Sequence, residues 1–147
     1  MDVLLRLVDP TILPTLSNKQ RMFTFGNPHT SVSGVQAMMQ RWVKIFMTPI
    51  NSHPLRRNEG TGFYALVHNG QSDLTRVQSL LAQEVEAAAE QVRQMDRRTL
   101  TRPANERLRS ATLSQFVRIS PASAEFWVEL SNMAGETAQV LLPYATG

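Results

Sequence analysis

Residues 113–142 read LSQFVRI, SPAS, AEFWVELS, NMAG and ETAQVLL in succession, and this stretch decides the fold. Apolar and polar side chains alternate in the first, third and fifth pieces, which is the repeat of a strand with one buried face, and Pro121 and Gly135 sit in the two intervening turns. The spacing predicts strands over 113–119, 124–131 and 136–142, the last two joined as a hairpin. On the middle strand Phe126, Val128 and Leu130 share the inner face while Trp127 and Glu129 point away. On the third, Ala138, Val140 and Leu142 share one face, leaving Gln139 and Leu141 on the other.

Upstream the period changes from two to that of a helix. Leu74, Val77, Leu81, Val85, Ala88, Val92 and Met95 form an apolar stripe with Glu84, Glu86 and Glu90 off it. Ser72 is the expected cap, Asp73 adds negative charge at the start, and Arg97 and Arg98 suit the C-terminal end before Pro103 prevents continuation. A short helical turn is expected over 106–111. An earlier helix is signalled by Ser33-Gly34-Val35-Gln36, a capping-box pattern, followed by Val35, Met38, Met39, Trp42, Val43 and Phe46 on one face, and it stops at Thr48-Pro49. Trp42 belongs to that stripe and reads as core. Between the helices, 47–62 holds two prolines and two glycines without periodicity, a loop of the length that usually carries function, and 63–67 suits a short strand or helical turn.

The first thirty residues contain Pro10, Pro14, Pro28 and Gly26-Asn27 around two short apolar pieces, and read as an extended arm that orders against a neighbour. The expected fold is α+β: two main amphipathic helices packed on a small C-terminal antiparallel three-stranded sheet. An N-terminal arm over 1–30 precedes a single domain over 31–147, a size that one core can stabilise.

Composition narrows the chemistry. With no cysteine in 147 residues, disulfide scaffolds, thiolate zinc sites and cysteine nucleophiles are excluded. The opening apolar run is interrupted by Asp2, Arg6 and Asp9, which argues against a secretory leader, and no stretch of about 18 apolar residues exists to span a membrane. His29, His53 and His68 fall in expected loops without metal-ligand spacing; no Gly-x-Ser-x-Gly, P-loop or dinucleotide fingerprint occurs. No catalytic residue, metal site or cofactor is therefore expected. A peptidoglycan hydrolase would need two carboxylates, and Glu59 has only Asp73, already explained as part of a helix start, as its nearest candidate partner.

Thirteen of the fifteen basic residues are arginine, and the net charge is +3. Seven arginines (Arg93, Arg97, Arg98, Arg102, Arg107, Arg109, Arg118) face only Asp96 and Glu106 in the same stretch. Such a run suits either a nucleic-acid backbone or an acidic protein neighbour, and Phe116 alone is available for base stacking, which favours the neighbour. The outward Trp127 beside Glu129 suits an interface anchor.

Gln40-Arg41-Trp42-Val43-Lys44-Ile45-Phe46-Met47-Thr48-Pro49, the loop ending Arg56-Arg57-Asn58-Glu59-Gly60-Thr61-Gly62-Phe63, the amphipathic helix and the terminal meander together resemble the sheath initiator, a small baseplate-wedge family of contractile phage tails with relatives in type VI secretion and pyocin baseplates. The resemblance covers roughly 33–142. Arg56, Gly60, Thr61, Gly62 and Phe63 match the family's loop-closing segment, and Asn58 stands near its acidic position. Arg57 replaces a proline, Glu59 replaces an aromatic residue, and the family's Glu-Pro-Arg triplet after the long helix is missing, with 95–103 in its place. The resemblance implies a non-enzymatic virion protein of the tail baseplate, assembled in the host cytoplasm. Six copies would surround the tube, with wedge proteins, the sheath protein and tube or hub proteins as partners and no membrane or nucleic acid. Arg56, Arg57, Arg97, Arg98 and Arg102 are candidate protein-interface residues, the last three standing in for the missing triplet, which in the family grips the helical core bundle of the wedge. Strand addition to the sheet would involve Trp127, Glu129, Gln139 and Leu141.

Overall fold

The computed structural model describes residues 5–7, 23–25, 33–69, 73–121 and 123–145. Two three-residue strands, β1 (Leu5–Leu7) and β2 (Phe23–Phe25), pair antiparallel within the expected arm; the rest of 1–30 lies outside the described residues. Helix α1 spans Gly34–Met47, α2 Phe63–His68 and α3 Leu74–Arg98. After a 3₁₀ turn at Ala104–Glu106 come β3 (Leu108–Ser120), β4 (Ser123–Asn132) and β5 (Thr137–Ala145), an antiparallel sheet in the order β3-β4-β5. The expected α+β arrangement is the observed one.

The core forms where the three periodic faces meet. Met38, Met39, Trp42, Val43, Ile45 and Phe46 from α1 meet Val77, Leu81, Val85, Ala88, Ala89 and Val92 from α3, and both sets lie over Phe126, Val128, Leu130, Val140, Leu142 and Tyr144 of the sheet. Full burial of each large aliphatic side chain is worth about 1.5–3 kcal/mol. Four aromatics stitch the layers. Trp42 stacks on Phe46 with centroids 4.9 Å apart, Phe46 lies 4.7 Å from Phe63, and Phe63 meets Phe126 edge-on at 5.7 Å. The Trp42 indole N–H finds the Val85 carbonyl at 3.4 Å, and the Tyr144 hydroxyl finds that of Leu66 at 3.3 Å, so neither polar tip is wasted in the core.

Several boundaries differ from the sequence expectation, each because a distant partner intervenes. Ser33 makes no capping hydrogen bond; Gly34, at φ +64°, instead directs its N–H to Glu106 Oε1 at 3.2 Å. Ser72 lies outside the described residues, and Asp73 caps α3 by accepting from Thr75 N–H and Arg76 N–H. No helical turn forms over 106–111. There β3 begins at Leu108, because Leu108 N–H donates to Asp96 at 2.8 Å and Met133 N–H donates to the Arg107 carbonyl at 2.9 Å. Register shifts at Leu108/Ser110, Leu113/Gln115 and Arg118/Ser120 break the alternation along β3. His68 closes α2 rather than opening a turn, its ring against Tyr64.

Candidate functional site

Three surfaces gather the residues that the sequence singled out. The first is the loop after α1. Its closing segment is locked from both sides: Thr61 N–H donates to the Thr48 carbonyl at 2.8 Å, Ile50 N–H donates back to Thr61 at 3.0 Å, and the buried Thr61 hydroxyl donates to the Phe46 carbonyl at 2.6 Å. From α3, the Gln91 amide clamps Gly60, accepting from its N–H at 2.9 Å and donating to its carbonyl at 2.7 Å, while Glu84 accepts from Gly62 N–H at 2.7 Å. Gly60 has φ +111°, and a Cβ there would stand 2.3 Å from the Thr48 carbonyl oxygen, so only glycine fits. The matched residues Gly60, Thr61, Gly62 and Phe63 are thus the anchor of the loop. Arg56 and Arg57 lie on its exposed part with Leu55, which is 89% exposed; Arg56 pairs with Glu59 at 3.2 Å.

The second surface is the end of α3. Asp96, only 5% exposed, accepts from Arg102 at 2.5 Å and from Leu108 N–H, and Arg41 stands 3.7 Å away. A carboxylate taken out of water needs such partners. Arg41 also donates to the Glu106 carbonyl. Burial, then repulsion from Arg102, holds the Arg41 guanidinium below its ordinary pKa despite the pull of Asp96 and Glu106. Arg102, one of the expected interface residues, is 18% exposed and its charge answers that of Asp96. Arg97 and Arg98 are exposed, with Arg97 reaching Glu90 at 3.6 Å.

Arg93 binds Glu86 at 2.5 Å and Glu90 at 3.0 Å. Burial alone would lower its pKa, but the hydrogen bonds it donates to the two glutamates more than offset that and raise it; Glu90 is lowered in turn, chiefly by the hydrogen bond it accepts from Arg93. Beside these pairs, a groove of about 180 Å³ is lined by Arg93, Arg97, Arg107, Arg109, Asp96 and Met133 among others. Sequence reading assigned no role to Met133, nor a particular one to Arg107 and Arg109; no local spacing brings the turn before β5 to the end of α3.

The third surface is the outer face of the sheet. Register places Gln115, Trp127 and Leu141 side by side, and Thr112, Glu129 and Gln139 in the next row. Trp127 is partly exposed, and Glu129 and Gln139 are exposed. Leu141, an expected interface residue, is only 8% exposed. What it presents at the edge is main chain. Among the described residues, no group of three or more histidine and acidic side chains is placed to hold a metal ion, and no helix is long and apolar enough to cross a membrane. No family model matches the chain, and no curated protein matches it.

Proposed function

We propose that the protein is a structural component of a contractile-tail baseplate that links wedge proteins to the sheath and nucleates sheath assembly by accepting a strand along β5. The observation that carries this reading is the outer edge of that strand. Asn132 N–H donates to the Glu136 carbonyl at 3.0 Å at the mouth of the hairpin, and no register shift interrupts β4 and β5. Antiparallel alternation then turns the main chain of Ala138, Val140, Leu142 and Tyr144 toward β4 and that of Thr137, Gln139 and Leu141 away from it. Pro143 shares the outward parity, where a missing N–H costs the sheet nothing. Among the described residues no strand pairs with that edge.

An unpaired edge with ordered flanking rows is what a donated ribbon completes: main-chain hydrogen bonds give affinity and side-chain positions set register. Pairing would run along 137–141 and stop at Pro143, with Trp127, Glu129 and Gln139 reading alternate side chains of the ribbon. The resemblance in the loop-closing segment supplies the tail context, with six copies around the tube, the sheath protein as donor, and wedge proteins meeting Arg56, Arg57, Arg97 and Arg98.

Removing 136–147 would be a poor test, because Val140, Leu142 and Tyr144 belong to the core. Gln139→Pro removes one outward N–H while leaving the ladder to β4 intact. Tail particles carrying it, scored by electron microscopy, are expected to lack sheath although the protein is folded and present in the baseplate. A normal frequency of sheathed tails from a folded variant overturns the proposal.

A further inference from the structure

The groove at the end of α3 holds more cation than its own surroundings neutralise. Arg93 is matched by Glu86 and Glu90, and Asp96 by Arg102 and Arg41. Arg97, 70% exposed, lies 3.6 Å from Glu90, so the two glutamates together answer Arg93 and Arg97, and that leaves Arg107 and Arg109, for which no ion pair occurs among the described residues. The Arg107 Nε is buried and has no acceptor there. Arg97, Arg107 and Arg109 all line one concave site, the last two without an ion pair among the described residues. A cleft of one sign of charge focuses its field and draws the opposite charge. Met133, 58% exposed, adds a pliable apolar wall to the same groove.

We infer that this groove binds an acidic, amphipathic segment of a protein partner, its carboxylates held by Arg97, Arg107 and Arg109 and an apolar side chain resting on Met133. Planar guanidiniums pair with carboxylates through two parallel hydrogen bonds, and partial burial strengthens those pairs. Nucleic acid fits the site less well. The groove has room for one or two side chains, no aromatic ring lines it to stack a base, and a thioether wall has little to offer a phosphate backbone. The inference does not depend on strand addition, since β5 contributes nothing to the lining.

The test is fluorescence anisotropy of the full chain with a labelled peptide that alternates glutamate and leucine, a counterpart with glutamine for glutamate, and a labelled DNA duplex. The acidic peptide is expected to bind, less tightly as salt rises from about 50 to 200 mM, and at least about tenfold better than the glutamine counterpart. Arg97→Ser with Arg109→Ser, both at exposed positions, should lower that affinity about tenfold with an unchanged circular dichroism spectrum, whereas Arg57→Ser in the loop and Gln139→Pro on the sheet edge should not. The inference is overturned if the two peptides bind alike, if Arg57→Ser costs as much as the groove pair, or if DNA binds tighter than the acidic peptide. A loss of peptide binding in folded Gln139→Pro would also overturn it, by moving the peptide to the β5 edge.

Discussion

Gly60–Phe63 and Thr137–Leu141 are both short runs of main chain beside the core, yet one is answered at nearly every polar group and the other is open along one side. The loop closure spends its donors and acceptors on Thr48, Phe46, Gln91 and Glu84. The β5 edge has β4 on one side and, among the described residues, no strand on the other. The best-matched residues of the motif lie in the closed region. Their role is to hold the loop in place, whereas the outward groups of β5 have no strand partner among the described residues.

The closed region is most sensitive at Gly60. Gly60→Val places a side chain against the Thr48 carbonyl and in a left-handed conformation, and should cost about 3 kcal/mol or more, read as a lowered urea midpoint. Gln91→Ala removes two hydrogen bonds from the same segment and strands the Gly60 groups; we expect a loss of about 2 kcal/mol and faster proteolysis within 50–58.

A smaller effect concerns the inner side of β5. Burial raises the Tyr144 pKa above its ordinary 10.0, so the folded state favours the neutral phenol. Its contribution is fully present below pH 10 and is lost as pH rises past that value, because the unfolded chain ionises first. Tyr144→Phe should flatten the fall in stability above pH 10 while costing about 1 kcal/mol at neutral pH, measured by urea titrations at several pH values. Smallest of all, Gln139→Pro should shift stability by no more than about 0.5 kcal/mol in the same titration, since the lost N–H faces outward; a large shift would mean that the edge is already in use within the chain.

The two helices and the meander were legible because burial repeats locally. Met38, Trp42 and Phe46 recur at helical spacing, and Phe126, Val128 and Leu130 alternate, so each buried face can be read without knowing what covers it. The start of β3 was not legible. Its pairing depends on Asp96 and Met133, and the bulges along it scramble the period by which a strand is recognised. Arg102 and Arg107 look alike in sequence, five residues apart; the position of Asp96 decides that Arg102 pairs with an acid whereas Arg107, among the described residues, does not.

The sequence by itself determined the elements, their order and their core faces, since apolar periodicity along a chain is a local property that the hydrophobic effect converts into burial. Only the tertiary structure decided that Glu106 receives the first N–H of α1, that Gln91 clamps Gly60 and that no strand among the described residues pairs with the outer edge of β5. Hydrogen bonds and ion pairs are made through space, between groups that sequence spacing does not bring together.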